Sequence, residues 1–531
     1  MPCPPEVLAL IERFSEQRED YLNPAYKETE LRREFLDPLF KHLGWDIDNE
    51  QGFAEAYKDV VHEYSLKTKD VIEAPDYCFR IGGTRKFFTE AKKPAENIKE
   101  DKKHSDQLRR YAWSANLPLS ILSSFAEWAV YDTRIKPEKT DKASTARVMY
   151  FTVDELANKW DEFAAIFSRQ AVLKGSFDKF AESNKKKRGT GAVDTEFLAE
   201  IERWRDILAH NIALRNEDLS QRDLNFSVQR IIDRIIFLRI AEDRGIEDYG
   251  RLQALANGDK IYPRLMQLFR AADDRYNSGI FHFEAEKGRS ENPDQVTPDL
   301  AVDDKVLREI LESLYYPVSP YEFSVLPADI LGQVYEQFLG KVITLTPGHR
   351  AKVDEKPEVK KAGGVYYTPT YIVDYIVQQT VGKLLEGKTP KQAAKLTILD
   401  PACGSGSFLI GAYQFLLDWH LQWYVNDGPE KHRKEIYLAG KTSEGRQIPD
   451  TKRASEKSNA GDWRLTSAER KRILLHHIYG VDIDEQAVEV TKLSLLLKVL
   501  EGENRETLDR QLRLVEKHRA RPDLGPNLPV S

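Results

Sequence analysis

The stretch KLTILDPACGSGSFLIGAY, residues 395–413, limits the fold more than any other part of the chain. An apolar run stops at Asp400, turns through Gly404 and Gly406, and continues as a segment with helical apolar periodicity. The pattern repeats downstream, where IYGVDI (478–483) is followed by EQAVEVTKLSLLLKVLEG. Strand, tight turn and helix in alternation predict a parallel, doubly wound sheet, because parallel neighbours need a helical crossover between them. The polar, Lys-rich residues from 424 to about 465 then form an insertion on that crossover, closed by a capping box from Thr466 to Glu469 before the next helix.

A chain of 531 residues is too long for one core and suggests three or four domains. Residues 1–175 open with helical periodicity (EVLALIERF, ELRREFLDPLFKHLGW) and continue into short β-rich runs (DYCFRI, RKFFTEAKK, LSILSSFAEWAVYDT, ARVMYFT), which predicts a compact α/β domain. Residues 176–345 are mainly helical; Val228, Ile231, Ile232, Ile235 and Ile236 share one face, as do Leu331, Val334, Tyr335, Phe338 and Leu339, and both stripes are core positions. Residues 346–364, charged and carrying prolines, read as a linker, and 365–531 as the strand–helix domain. The run KKKR (185–188) reads as a solvated linker, and His476–His477 as a helix end.

Three scattered cysteines exclude a disulfide framework and a CxxC metal site. No apolar run reaches the roughly 18 to 20 residues that span a bilayer, and charges come too early at the N-terminus for a signal peptide, so a cytoplasmic protein without membrane contact is expected. The net charge of −7 gives no general field for nucleic acid, so any DNA contact must rest on local patches.

The turn after Asp400 lets a ligand approach the backbone closely, as an adenosine-bearing molecule requires, but it lacks the third glycine of the dinucleotide pattern GxGxxG. Asp482, ending the second strand, offers two acceptor oxygens to vicinal ribose hydroxyls. Upstream, GGVYYTP (363–369) sets Thr368 at a helix start, where it can cap.

In this order, GGVYYTP, DPACGSGSF and YGVDIDEQAV resemble motifs X, I and II of amino-group DNA methyltransferases that use S-adenosylmethionine. The resemblance implies cofactor-contacting positions at Tyr367, Thr368, Pro369, Asp400, Ala402, Cys403, Gly404, Gly406, Phe408, Asp482 and Ile483. The family's Asn/Asp-Pro-Pro-aromatic tetrapeptide, which holds the target amino group and stacks the flipped base, does not occur in these residues, so a chain stopping before the catalytic motif is expected.

A second constellation lies in APDYCFRIGGTRKFFTEAKKP (74–94). Asp76 is followed fourteen residues later by Glu90, and Lys92 shares a strand face with Glu90; glycines 82 and 83 permit a hairpin that brings Asp76 alongside. Two carboxylates offer hard oxygen ligands to Mg²⁺, and a lysine beside them can orient a water for phosphodiester hydrolysis. The pattern resembles the PD-(D/E)xK nuclease core, with Asp76, Glu90 and Lys92 catalytic. YKETELRREFLDPLFKHLGWD (26–46) resembles the helix that precedes this core in restriction enzymes, which implies a third metal ligand beside Asp76 and Glu90 at Glu28, with Glu30 the other acid that could take that place and equally a surface residue. QLRRY (107–111) resembles the Q-x-x-x-Y motif of a nuclease subclass, adding Gln107 to the catalytic set and Tyr111 on the same helical face.

Together, and including ILGQVYEQFLG in the connector, the chain resembles the N-terminal part of single-polypeptide type IIG restriction-modification enzymes. That resemblance implies Mg²⁺-dependent cleavage of double-stranded DNA, S-adenosylmethionine binding and, in a complete enzyme, adenine N6 methylation, with a partner chain supplying the catalytic motif and the target-recognition domain if the enzyme is split. The alternatives are a cofactor-binding scaffold, or an antiphage methyltransferase subunit without nuclease activity.

Overall fold

The computed structural model describes residues 3–51, 58–62, 75–81, 83–183, 193–276, 280–285, 293–316, 318–326, 340–356, 368, 370–438 and 463–501. The run KKKR and the connector stripe from Leu331 to Leu339 lie outside these residues. The fold is mixed α/β and divides into two compact units, one built mainly on residues 1–193 and 320–325, the other mainly on 194–319, 326–438 and 464–531.

The first unit is organised by a six-stranded sheet in sequence order: β1 (Val60–His62), β2 (Tyr77–Ile81), β3 (Thr84–Ala91), β4 (Leu119–Ser123), β5 (Glu127–Asp132) and β6 (Arg147–Thr152). Neighbours are antiparallel except β3 and β4, which run parallel. A parallel step between sequential strands needs a crossover, and helix α3 (Lys102–Ser114) supplies it, its N-terminus capped by the Asp101 side chain accepting from Lys103 N at 2.8 Å.

Alternation along the strands separates two cores. Phe87, Ile121 and Val130 face one side with Val7 and Phe14 of α1 (Pro5–Glu16) and Phe163 and Phe167 of α4 (Val153–Phe167). Phe88, Leu122 and Ala129 face the other, against Leu108, Tyr111 and Ala112 of α3. Phe177 and Ala181 join the first of these cores, carrying this unit's packing a few residues past 175. Between α1 and β1, a helical run starts as α2 (Glu28–Leu31) and passes through a π-helical turn at Arg32–Leu36 before Asp37–His42.

The second unit carries long helices, α5 (Val193–Arg215), α6 (Gln221–Asp243) and α7 (Ile261–Tyr276). Val228, Ile231, Ile232, Ile235 and Ile236 of α6 are buried, as their spacing predicted. The stretch read as a linker begins otherwise: Ala351–Glu355 is a strand, β8, paired antiparallel with β7 (Lys341–Leu345). Its charged residues do not prevent this, because the edge of β7 is fixed by Asn225 of α6, which receives Ile343 N at 2.9 Å and donates to Ile343 O at 2.7 Å.

The strand–helix pattern is present as β9 (Ile398–Asp400) and β10 (Ile478–Gly480), parallel and in register Asp400 to Gly480, with α9 (Ser407–Asn426) and α10 (Ser467–His477) between them and α11 (Glu485–Val499) after. Helix α9 continues to Asn426, taking in the first three residues of the expected insertion, and Thr466 caps α10 by accepting Glu469 N at 3.2 Å. Helix α8 (Thr370–Val377) packs on α9 so closely that a Cβ at Gly411 would stand 2.5 Å from Val373 Cγ1. Apolar side chains here remain open to solvent: Leu399 is 62% exposed, Tyr371 72% and Tyr375 65%. Among the described residues no helix is long and apolar enough to cross a membrane.

Candidate functional site

In the first unit, the β2–β3 hairpin sets Tyr77 opposite Thr89, so Asp76 at the head of β2 lies against the end of β3. Asp76 Oδ2 accepts from Ala91 N at 2.7 Å, and Oδ1 accepts from Arg32 Nη1 at 2.8 Å. Glu90 faces inward on β3 and is 4% exposed; Asp76 is 6% exposed. Lys92 is one residue past the strand's last, held there by its N–H donating to Ser123 O at 2.9 Å, and its Nζ meets Glu90 Oε1 at 2.6 Å. Gln107 of α3 donates from Nε2 to the same oxygen at 3.3 Å, while Tyr111 packs in the core on that face. The four residues predicted as catalytic therefore converge.

The electrostatics follow from burial. Removal from water, and then the Asp76 carboxylate, push the Glu90 pKa up to about 8. The same two causes, in the same order, push the half-buried Glu28 up to about 7. Burial works against the Lys92 ammonium, but Glu90, Glu28 and Asp76 outweigh it and raise its pKa.

Three mutually repelling acids beside one lysine are the donor chemistry of a hard divalent cation. Asp76 and Glu90 fit such an ion, since a carboxylate oxygen that accepts one hydrogen bond keeps a further lone pair. Among the described residues, however, no group of three or more His, Cys, Asp and Glu side chains is arranged as a metal site, so Glu28 stands as an electrostatic neighbour rather than a third preformed ligand.

Arg32 was not singled out from the sequence. It lies four residues after Glu28, hence on the same helical face, and its guanidinium stacks 4.9 Å over the Tyr77 ring while Nη2 approaches His62 Nδ1 at 3.3 Å. His62 Nε2 contacts Ile47 O at 3.1 Å; a carbonyl only accepts, so the proton sits on Nε2 and Nδ1 is free to accept from Arg32.

In the second unit, the turn between β9 and α9 folds under the turn after β10. Cys403 N donates to Val481 O at 3.0 Å and Val481 N to Asp400 O at 2.9 Å, which ties the two strand ends together. Ala402 N donates to Asp400 Oδ1 at 3.1 Å, and Gly404 N to Asp482 Oδ2 at 2.9 Å. The other Asp482 oxygen accepts from Asp484 N at 2.9 Å. Asp484 is in turn ion-paired with Lys356, directly after β8.

Gly404 and Gly406 both have positive φ, +53° and +84°. They differ in surroundings: a Cβ on Gly404 would meet nothing within 4 Å, whereas one on Gly406 would stand 2.7 Å from Thr491 Cγ2. Open space over Gly404 next to an acid with further lone pairs fits an adenosyl ligand with a ribose diol.

Asp400, Ala402, Cys403, Gly404, Gly406 and Asp482 thus form one turn system. Phe408 lies half-buried in the first turn of α9 and Ile483 is fully exposed beside Asp482. Thr368 is half-buried just before α8; Tyr367 and Pro369 lie outside the described residues. Gly411, which lets α8 approach α9, and Thr491 were missed, the first because a glycine inside a helical pattern carries no distinct signal, the second because it sits in an apolar helical run.

Two family models match the chain: the DNA-methyltransferase domain of MmeI over residues 379–516, and the type I restriction enzyme R protein N terminus over residues 25–139. The chain is 34% identical over 503 residues to the type II restriction enzyme and methyltransferase RM.Eco57I of Escherichia coli, covering 94% of this chain and 47% of that protein. It is 23% identical over 579 residues to the putative type II restriction enzyme and methyltransferase RM.MjaORFECS2P of Methanocaldococcus jannaschii, covering 90% and 44%. The chain therefore spans about half the length of these relatives. Among solved structures it is similar to a DrdV–DNA complex (TM-score 0.29, 15% identity, 97% of this chain and 43% of that one) and to the type IIG restriction endonuclease BpuSI (TM-score 0.25, 13% identity, 83% and 38%).

Proposed function

We propose that this chain, related along almost its whole length to the fused type II restriction enzymes and methyltransferases, is the part of such a protein that cuts DNA and binds the methyl donor. In this reading residues 1–175 are a PD-(D/E)xK nuclease domain, 176–345 the connector, and 365–531 the N-terminal part of a Rossmann-like methyltransferase domain, with double-stranded DNA as substrate.

The observation that carries the nuclease reading is the meeting of Asp76, Glu90 and Lys92 at one strand end. Asp76 and Glu90 would hold Mg²⁺, with Glu28 close enough in charge to join them. The ion supplies a more acidic water and charge stabilisation at phosphate when bound. Gln107 and Lys92 both donate to Glu90 Oε1, and the Lys92 ammonium beside that carboxylate is placed to orient a water or a phosphate oxygen.

At the second site S-adenosylmethionine supplies an electrophilic methyl group when bound. Asp482 would accept from the ribose hydroxyls and the backbone from Ala402 to Gly406 would line the methionine part. Adenine N6 methylation further needs an Asn/Asp-Pro-Pro-aromatic element, absent from these residues, and is assigned to a complete enzyme or to a partner chain.

Incubation of the chain with supercoiled plasmid and Mg²⁺ should produce nicks that Asp76→Ala and Lys92→Ala abolish; cleavage persisting in both variants would exclude this site. Calorimetry with S-adenosylmethionine should show binding that Asp482→Ala removes, and equal binding by that variant would refute the second assignment.

A further inference from the structure

We propose that Thr491 is a positioning residue for the methyl donor, holding the glycine turn in its binding conformation before the ligand arrives. The proposal rests on the reading of that turn as the S-adenosylmethionine site.

Thr491 lies on α11, is fully buried, and stands directly beneath the turn. Its hydroxyl donates to Gly404 O at 2.8 Å. From the opposite side Asp482 accepts from Gly404 N. Gly404 is thus held at both its N–H and its C=O, which fixes the left-handed backbone that leaves open space above it.

The methyl group does separate work. Thr491 Cγ2 and Oγ1 lie 2.7 and 2.9 Å from where a Cβ on Gly406 would be, so the side chain seats against Gly406 and sets the start of α9. A helical threonine commonly turns its hydroxyl back to a carbonyl of its own helix; here it reaches 87 residues away in sequence. Valine would keep the methyl and lose the donor, and serine the reverse. An ordinary core position beside Val490 and Leu493 has no use for a hydroxyl, so its engagement by the turn marks the residue as part of the site's support.

Three versions of the 531-residue chain decide the matter: the wild type, Thr491→Val and Thr491→Ser. Calorimetry with S-adenosylmethionine should show affinity lowered about five- to tenfold in Thr491→Val and largely kept in Thr491→Ser, the size expected for one lost hydrogen bond. Hydrogen exchange of the ligand-free proteins should show faster exchange over residues 401–409 in Thr491→Val alone, with melting temperatures of all three closely similar. Wild-type affinity and unchanged exchange in Thr491→Val would overturn the proposal, as would parallel losses of affinity and melting temperature in both variants. A wild type that binds no S-adenosylmethionine refutes the reading of the turn itself, while the exchange comparison still reports on the clamp.

Discussion

Arg32 Nη1 donates to Asp76 Oδ1 at 2.8 Å, and Nη2 lies 3.4 Å from the Asp76 main-chain oxygen, so one guanidinium grips the residue by side chain and backbone. Both side chains are close to fully buried. Removing the arginine strands a buried carboxylate beside Glu90 and Glu28, so Arg32→Ala should destabilise the first unit by about 3–5 kcal/mol in chemical denaturation. Arg32→Lys should recover little of this, because an ammonium cannot bridge Asp76, stack on Tyr77 and reach His62 together. Full recovery by lysine would mean that charge alone matters.

The raised Glu28 and Glu90 values set a pH dependence for cation binding. Without a cation, carboxyls that titrate near 7 and 8 are largely protonated in mildly acidic solution, and binding must expel those protons. Apparent Mn²⁺ affinity, followed by electron paramagnetic resonance, should therefore increase as pH rises from about 6 and level off above about 8.5. Glu28→Gln should flatten the lower part of that rise. Affinity independent of pH in the wild type would contradict the coupling among these acids.

How much of this was legible in the sequence follows the range of each interaction. Asp76, Glu90 and Lys92 could be read because a hairpin and a two-residue strand period place them with local rules only. Asp400 and Asp482 could be read because each follows an apolar strand run at a turn, Asp400 as the last residue of β9 and Asp482 two residues past the end of β10. Arg32 and Thr491 could not, since their roles depend on partners 44 and 87 residues away. The β8 strand was missed for a related reason: its pairing is anchored by Asn225 of α6, and a charged stretch with prolines gives no sign of such an anchor.

A histidine pair gives the second unit acid sensitivity. His420 and His477 are fully buried; their Nδ1 atoms meet Leu416 O at 2.8 Å and Leu396 O at 2.7 Å, and neither Nε2 has a partner. Burial lowers both values, His420 to about 4. A depressed folded value means stability is complete above the unfolded value near 6.5 and is lost as pH falls toward the folded one, on the order of 3 kcal/mol for His420. His420→Phe should flatten the fall in melting temperature between about pH 6.5 and 4. An unchanged slope would place the acid sensitivity elsewhere.

The two glycines of the turn should respond differently to alanine. Gly404→Ala adds a methyl to open space and strains only a left-handed backbone, a cost of about 1–2 kcal/mol. Gly406→Ala carries the same strain and also collides with Thr491, so its melting temperature should fall further. Both should weaken S-adenosylmethionine binding in calorimetry, Gly404→Ala because its methyl occupies the space left for the ligand. Equal melting temperatures would show that α11 yields to the added methyl.

Leu399, Tyr371 and Tyr375 each leave a greasy face open to solvent in the second unit. Such a face makes the chain's behaviour depend on how much of it is in the tube. Dilute samples should run as single particles in ultracentrifugation, concentrated ones should drift toward heavier species, and melting temperatures should be compared only at matched protein concentration.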